Sequence, residues 1–367
     1  MHKLKINNFL NRIIPGNSLD ILRDIPDESI DLIFADPPYN LQISNKLTRP
    51  NNSLVKGVSE EWDKFDSFDD YDKFTIQWLT QAKRILKSDG TIWVIGSYHN
   101  IFRIGSKLQD LGFWLLNDII WIKSNPMPNF RGRRFTNAHE TLIWSSKNKN
   151  NKSYNFNYDA MKSLNDDIQM RSDWILPICR GSERIKINGE KAHSTQKPEA
   201  LLSRVILASS KVGDIVLDPF SGSGTTASVA KKLDRKFIGI EKDLNYVMVS
   251  KQRINSISSY DSEALILTES KKSKPRIPFG QIIERGLLKP GAILFDNKKK
   301  YFAKIRADGS LITVPPNKSI SGSIHKVGAS VLGSSSCNGW DFWHYYNNKK
   351  IVPLDFFREK LRKEKNK

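Results

Sequence analysis

The sequence predicts an α/β protein: a doubly wound, largely parallel sheet followed by a small, basic, mostly β module. Three observations carry that prediction. Strand-like apolar runs alternate with helical periodicity through the first 260 residues or so. Two of those runs end on an aspartate followed by proline. The alternation then stops at a basic, proline-containing stretch near residues 265–275.

Strand-like runs occur at 29–36 (SIDLIFAD), 90–97 (GTIWVIGS), 113–122 (FWLLNDIIWI), 140–146 (ETLIWSS), 214–220 (DIVLDPF) and 235–241 (RKFIGIE). Between them, Trp78, Leu79, Ala82, Ile85 and Leu86 recur at helical spacing until Ser88-Asp89-Gly90 stops the run. Leu201, Leu202, Val205 and Ile206 do the same after a loop that offers Thr195 as a cap. Strands separated by helices argue for a parallel sheet covered on both faces. Residues 147–190, rich in Asn, Lys and Ser, read as a long excursion or loop. TESKKSKPRIPFG reads as a linker, which places one domain at 1–265 and a second at 275–367, the latter built from short strand-like pieces between Gly, Pro and Asn turns.

Composition narrows the class. A 39% hydrophobic content with 9 tryptophans marks a folded chain. The apolar runs are short and broken by charge, so none spans a bilayer, and the first residues lack an apolar signal core, so the N-terminus is read as retained. Two cysteines, Cys179 and Cys337, form neither a disulfide framework nor a CxxC pair, and a reducing cytoplasm is expected. Lys and Arg number 58 against 39 Asp and Glu, a net charge of +19. Residues 271–367 hold 21 basic and 7 acidic residues. Such a surplus suggests a polyanion, because basic residues at phosphates release counterions; a solubilising surface is the plainer alternative.

The segment DLIFADPPYN (31–40) carries an apolar strand to Asp36, then Pro37, Pro38 and Tyr39. A carboxylate and a backbone carbonyl at a strand end are two hydrogen-bond acceptors on a rigid mount. The prolines fix φ and remove competing donors, and the tyrosine offers a flat face. An ordinary turn after a strand fits the same four residues. The second segment, DIVLDPFSGSGTTASVAKKL (214–233), carries a strand to Asp218, a turn of small residues from Ser221 to Gly224, and a helix opening at Thr225 and Thr226. Glycines allow close backbone approach to a ligand, and the helix start offers free N–H groups. About seventeen residues after Gly224 the next strand ends at Glu241, placed to accept hydrogen bonds from a ribose. Taken alone, this loop also suits a nicotinamide dinucleotide.

Taken together, DPPY and DPFSGSGTT resemble the catalytic and cofactor motifs of the S-adenosylmethionine-dependent DNA amino-methyltransferases. Their order, catalytic motif about 185 residues before cofactor motif, resembles the permuted β group of that family. The resemblance implies that Asp36, Pro37, Pro38 and Tyr39 hold and stack a flipped-out adenine. It implies S-adenosylmethionine contacts from Asp218, Phe220, Ser221, Gly222, Ser223, Gly224, Thr225, Thr226, Glu241 and Lys242. KAHSTQKPEALL (191–202) resembles the family segment in which Lys197 meets the methionine carboxylate and His193 shapes the pocket. IIPGNSLDIL (13–22) resembles the strand end over the cofactor adenine, with Asn17 and Ser18 where relatives carry an aspartate and a small residue.

SNPMPNFRGRRFTNAHETLIW (124–144) resembles the loop that holds the base and the DNA backbone. DNA contacts are thereby implied for Arg49, Asn129, Arg131, Arg133 and Arg134, the arginines standing beside Phe130 and Phe135. His139-Glu140 lacks the PCxxC that would complete a deaminase zinc site, and no metal is expected. The C-terminal segment resembles that of the bacterial cell-cycle-regulated adenine methyltransferases, which act on GANTC. That resemblance implies base contacts from Ser323, Asn338 and Trp340, although Trp340, Phe342 and Trp343 also suit the core of a small domain. Double-stranded DNA is the implied partner, and a homodimer is expected from the family and the long excursion. The rivals are a cytosine-N4 enzyme, which usually carries serine in place of Asp36, and a non-catalytic DNA-binding protein.

Overall fold

The computed structural model describes residues 5–41, 47–48, 54–55, 63–128, 133–151, 153–187, 190–191, 195–267, 277–314, 319–347 and 350–365. The chain divides into two compact units, Met1–Glu269 and Ser270–Lys367.

In the first unit the chain runs β1 (Arg12–Pro15), α1 (Ser18–Asp24), β2 (Ile30–Ala35), a short antiparallel pair β3 (Leu47–Thr48) and β4 (Leu54–Val55), then α2 (Phe68–Ile85) and β5 (Leu86–Gly96). Next come α3 (Ile101–Asp110), β6 (Trp114–Lys123), β7 (His139–Ser146), α4 (Tyr158–Ser163), β8 (Asp173–Leu176) and a second short pair, β9 (Lys186–Ile187) and β10 (Glu190–Lys191). It closes with α5 (Glu199–Ser209), β11 (Ile215–Asp218), α6 (Thr225–Lys232), β12 (Lys236–Glu241) and α7 (Leu244–Asn255).

Eight strands form one sheet in the order β1-β12-β11-β2-β5-β7-β6-β8. Only β7 runs against the rest, antiparallel to both β5 and β6. Five of the six expected strands are found within two residues of each end; the exception is β5, which begins at Leu86, directly after α2, rather than at Gly90.

The residues of β2 explain the doubly wound form. Leu32 and Phe34 join the core that holds Leu201, Leu202, Val205 and Ile206 of α5. Ile33 and Ala35 point the other way, into the core with Trp78 and Leu79 of α2 and Ile101 and Ile104 of α3. Successive side chains of a strand face opposite sides, so an apolar run this continuous needs a helical layer on each. β2 lies between β11 and β5, and the chain leaves β2 toward β5 but leaves β11 toward β12. Between β2 and β11 the winding reverses, and open α/β sheets bind ligands at the carboxyl ends flanking such a reversal.

Two expectations need correction. The 147–190 excursion is not all loop: it contains α4 and β8, and β8 pairs in parallel with β6, Trp121 opposite Trp174. The alternation of Asp173–Leu176, exposed-buried-exposed-buried, is too short to stand out among polar neighbours. Thr195 does not cap α5; Pro198 occupies the N-cap position, with its fixed φ of −71°.

The second unit holds α8 (Phe279–Glu284), β13 (Ile293–Asp296), β14 (Phe302–Ile305), β15 (Leu311–Thr313), β16 (Ser321–Gly322), α9 (Ile324–Leu332), α10 (Gly339–Phe342), β17 (Trp343–Asn347), β18 (Lys350–Pro353) and α11 (Leu354–Lys365). Its six strands form an antiparallel sheet, β16-β15-β14-β13-β17-β18. Its core gathers Ile282, Leu294, Leu311, Val327, Trp340, Trp343 and Phe357. Among the described residues no helix is long and apolar enough to cross a membrane.

Candidate active site

Asp36 to Asn40 leave the end of β2 and are held from outside. The Asp63 carboxylate accepts three backbone N–H groups in succession, from Tyr39 (2.6 Å), Asn40 (2.9 Å) and Leu41 (2.9 Å). The Tyr71 hydroxyl donates to the Pro38 carbonyl at 2.8 Å, and Asn100 Nδ2 lies 3.2 Å from that hydroxyl. Tyr71 is delivered by α2, whose Ser67 cap, Asp69 and Asp70 in the first turn, and Lys83 and Arg84 in the last all favour the helix dipole. Asn100 fits because residue 96 is glycine: a Cβ there would lie 2.5 Å from Asn100 Oδ1. The loop closes at Asn40, in the left-handed region at φ 54°, a conformation asparagine tolerates.

Beside this loop lies a closed array of four charges. Lys197 Nζ sits 2.8 Å from Asp36 Oδ2 and 3.8 Å from Glu140 Oε2. Lys123 Nζ is 2.8 Å from Glu140 Oε1, and the Tyr39 hydroxyl donates to Glu140 Oε2 at 3.0 Å. Lys123 ends β6 and Glu140 is the second residue of β7, its antiparallel neighbour. The Lys197 ammonium also lies 5.2 Å from the centre of the Tyr39 ring. The four charged side chains are between 8% and 19% exposed.

Burial and pairing pull these groups in different directions. For Glu140, burial opposes ionisation, but Lys197 and Lys123 outweigh it and hold the carboxyl below its ordinary value. Burial also works against a charged Lys197, and the two carboxylates overcome it, so the ammonium is held protonated. Asp36 moves the other way: burial raises its carboxyl, with Lys197 opposing and Glu140 adding to the rise. Tyr39 is pushed well above the usual phenol range by burial and the two carboxylates, and its hydroxyl stays a donor. Among the described residues Asp36 Oδ1 is buried without a hydrogen-bond partner.

The glycine-containing loop after β11 is organised by its own residues together with Glu241 at the end of β12. Asp218 accepts the Phe220 N–H at 2.9 Å and the Thr226 hydroxyl at 2.5 Å, tying both ends of the loop to one carboxylate. The Gly224 N–H donates to the Ser221 carbonyl at 2.8 Å. Gly224, at φ 73°, begins α6, and a Cβ on it would lie 2.9 Å from that of Ser250. The Gly222 N–H donates to Glu241 at 2.8 Å, and the other Glu241 oxygen accepts the Asp243 N–H at 2.7 Å. Phe220 packs on Phe74 and Trp78 with ring centres 5.9 and 5.4 Å apart. Burial pushes the Asp218 carboxyl up to about 7.

Both loops line one cavity of about 370 Å³, within the range of small-molecule sites. Asn17, Ser18, Asp36, Pro37, Pro38, Tyr39, Lys197, Asp218, Phe220, Ser221, Gly222, Ser223, Thr225, Thr226, Glu241 and Lys242 all reach it. Gly224 is not among its lining residues and serves the packing of α6 on α7. Asn17 spends its side-chain oxygen capping α1, on the Leu19 N–H at 3.0 Å. Lys197, expected to meet a cofactor carboxylate, lines the cavity and is paired with Asp36 at 2.8 Å.

Arg133, Arg134 and Phe135 are exposed, Phe135 at 98%, and Arg134 donates to the Tyr98 hydroxyl at 2.8 Å. Arg49, Asn129, Arg131 and His193 lie outside the described residues. In the second unit, Ser323 caps α9 by accepting the Lys326 N–H at 3.2 Å, and Asn338 caps α10 by accepting the Trp340 N–H at 3.3 Å. Trp340 is 6% exposed, edge-on to Phe279 and covered by the Arg358 guanidinium 4.5 Å from its ring centre. A ring enclosed in this way belongs to the core, and the expectation of a base contact at Trp340 is corrected accordingly. Sequence reasoning did not reach Asp63, Tyr71, Asn100 and Lys123, and it considered Glu140 only as a metal-site residue. Among the described residues no group of three His, Cys, Asp or Glu could hold a metal.

Comparison with known proteins agrees with this geometry. Residues 30–252 match the family model described as DNA methylase, and residues 261–367 match the model described as Restriction Enzyme Adenine Methylase Associated. The chain is 49% identical over 359 residues to the Type II methyltransferase M.HinfI of Haemophilus influenzae, covering 98% of each. It is 43% identical over 248 residues to the Type II methyltransferase M2.LlaDCHI of Lactococcus lactis subsp. cremoris, covering 68% of this chain and 90% of the relative. A crystal structure of the M1.HpyAVI–SAM complex superposes with a TM-score of 0.51 at 28% identity, covering 66% of this chain and 98% of that one. A catalytic-type loop and a glycine loop meeting where the sheet reverses, and a family match over most of the chain, lead to one conclusion: the chain belongs to the DNA methylase family.

Proposed function

We propose that the chain is a site-specific DNA methyltransferase that moves a methyl group from S-adenosylmethionine to N6 of an adenine turned out of the duplex. The observation that carries this reading is Asp36, which lines the same cavity as the glycine loop and whose Oδ1 is a buried acceptor without a donor among the described residues. The cavity residues fit an adenosyl amino acid. Ser221 Oγ is a second buried polar atom without a partner there, Glu241 stands at a strand end suited to ribose hydroxyls, and Gly222 turns with φ 50° where a side chain would be strained. When bound, S-adenosylmethionine supplies an electrophilic methyl group on a positively charged sulfur.

The protein's part is to make a poor nucleophile attack. The adenine amino nitrogen shares its lone pair with the ring. Asp36 Oδ1 accepts one of its N–H groups and the Pro37 carbonyl the other, drawing the nitrogen toward a tetrahedral shape with its lone pair free. Tyr39 stacks on the base. As the new N–C bond forms and the C–S bond breaks, the nitrogen carries one proton too many. Asp36, whose proton affinity burial raises, takes it and passes it to solvent.

Adenine rather than cytosine is supported by the carboxylate at position 36, and by the adenine-methylase-associated description of the model matched by residues 261–367. GANTC rests on the resemblance of the C-terminal segment. Ser323 and Asn338 are exposed at the starts of α9 and α10, where base edges would have to share them with the helix caps they form and, for Asn338, with Asp341, and Arg133 and Arg134 suit phosphates. Dimerisation rests on the family resemblance, with exposed Ile168 and Ile175, each 66% exposed, as apolar area for it; sedimentation velocity at micromolar concentration reads it directly.

The test is methyl transfer from labelled S-adenosylmethionine to a GANTC duplex and to a shuffled duplex, with Asp36→Ala as control. Label on adenine of the first duplex alone, reduced at least about 1000-fold in kcat by D36A, is expected. Label on cytosine would overturn the adenine assignment, and label on both duplexes the site.

A further inference from the structure

Resting on that reading, we propose that Glu140 is a positioning residue for methyl transfer: it fixes the Tyr39 ring through its hydroxyl and shares the Lys197 ammonium with Asp36, with Lys123 balancing its charge. The geometry is specific. Glu140 uses Oε2 for the Tyr39 hydroxyl at 3.0 Å and Oε1 for Lys123 at 2.8 Å. Lys197 is therefore flanked by two carboxylates, close to Asp36 at 2.8 Å and farther from Glu140 at 3.8 Å.

The consequences follow from charge and reach. Two buried carboxylates beside one ammonium would leave an unbalanced negative charge; Lys123 makes the set neutral. With Lys197 on Oδ2, Asp36 keeps Oδ1 for the amino group. Asp36 faces Lys197, Glu140 and Tyr39, and Asp218 senses it from across the cavity. Glu140 and its partner Lys123 belong to neither motif and are absent from the cavity lining, so they can tune Asp36 and Tyr39 without touching substrate.

Two substitutions are expected to shift the pH profile in opposite directions. Glu140→Gln removes a negative charge near Asp36, so the acid limb of the kcat profile moves down by about one pH unit. Lys123→Gln removes a positive charge, and the limb moves up. Glu140→Gln also lowers kcat by about tenfold, through the loosened ring, with KM for S-adenosylmethionine within about twofold of the parent. Glu140→Asp restores part of that loss. Because the path runs through the hydroxyl, Tyr39→Phe added to Glu140→Gln costs no more than about a further twofold.

The experiment is the kcat pH profile of the full chain on the GANTC duplex, with melting curves confirming folding. Should Glu140→Gln fail to fold, the upward shift in Lys123→Gln carries the test. An active parent with both acid limbs unmoved, or with Glu140→Gln at parental kcat, overturns the inference alone. A parent that transfers no methyl group to DNA overturns the reading beneath it, and this inference with it.

Discussion

The two loops that share the cavity are built on different plans. The glycine loop is tied in large part by itself: Asp218 holds Phe220 and Thr226, and the Gly224 N–H meets Ser221, while Glu241 and Ser250 hold Gly222 from 19 and 28 residues away. The Asp36–Asn40 loop is tied by others. Asp63, Tyr71, Asn100, Glu140 and Lys197 reach it from 22 to 161 residues away. A loop built of small residues at a helix start takes much of its shape from local turns, with Glu241 and Ser250 fixing Gly222. A loop that must aim a carboxylate and a ring has spent its own donors on prolines, and its rigidity comes from its surroundings.

That contrast breaks first at Asp63. Asp63→Ala leaves three N–H groups of the Asp36–Asn40 loop and its continuation at Leu41 without their acceptor, each such charge-assisted bond being worth about 1.5–3 kcal/mol. A fall in kcat/KM of roughly 100-fold is expected, with S-adenosylmethionine affinity changed much less. Equal losses in both measurements would mean that the two loops are not separately supported.

The converse substitution is Gly224→Ala. At φ 73° alanine costs about 1–2 kcal/mol, and its Cβ meets Ser250 at 2.9 Å. Calorimetry should show S-adenosylmethionine binding weakened by about tenfold. Ser250→Gly relieves the contact but not the backbone strain, so the double variant recovers part of the loss. Full recovery would show that the left-handed turn is not the constraint.

The smallest effect concerns pH. Asp218 is raised from an ordinary 3.8 to about 7, mainly by burial. A group raised in this way contributes stability that is complete below about pH 4 and is lost as pH rises through about 7. Asp218→Asn carries no such ionisation. Its melting temperature relative to the parent should therefore climb by a few degrees between pH 5 and pH 8. A constant difference across that range would place the Asp218 ionisation elsewhere.

The same contrast explains what could be read in the sequence. DPFSGSGTT is legible because several of its constraints are local: Asp218 answers to Phe220 and Thr226, and Gly224 to Ser221, a few positions away. DPPY is legible as a motif, but its supports are not. Asp63 is one acid among 39 Asp and Glu. Glu140 becomes informative only once β7 places it beside Lys123 of β6. Long apolar strands such as Ile30–Ala35 were visible, whereas β8, four residues in a polar stretch, was not. Trp340 shows the limit of residue type as a guide, since an aromatic ring suits a base and a core equally, and only its surroundings decide.

The unpartnered Asp36 Oδ1 has a consequence for fidelity. A buried acceptor left without a donor costs about 1–3 kcal/mol, and on the proposed reading a base bearing an amino group would relieve that cost on arrival. A deaminated base, hypoxanthine in place of adenine, would instead bring a carbonyl oxygen against a carboxylate oxygen. Sites built to receive an N–H reject analogues lacking it by about 10⁴-fold or more. Damaged letters would thus be refused by mismatched polarity alone, with no wall shaped to exclude them.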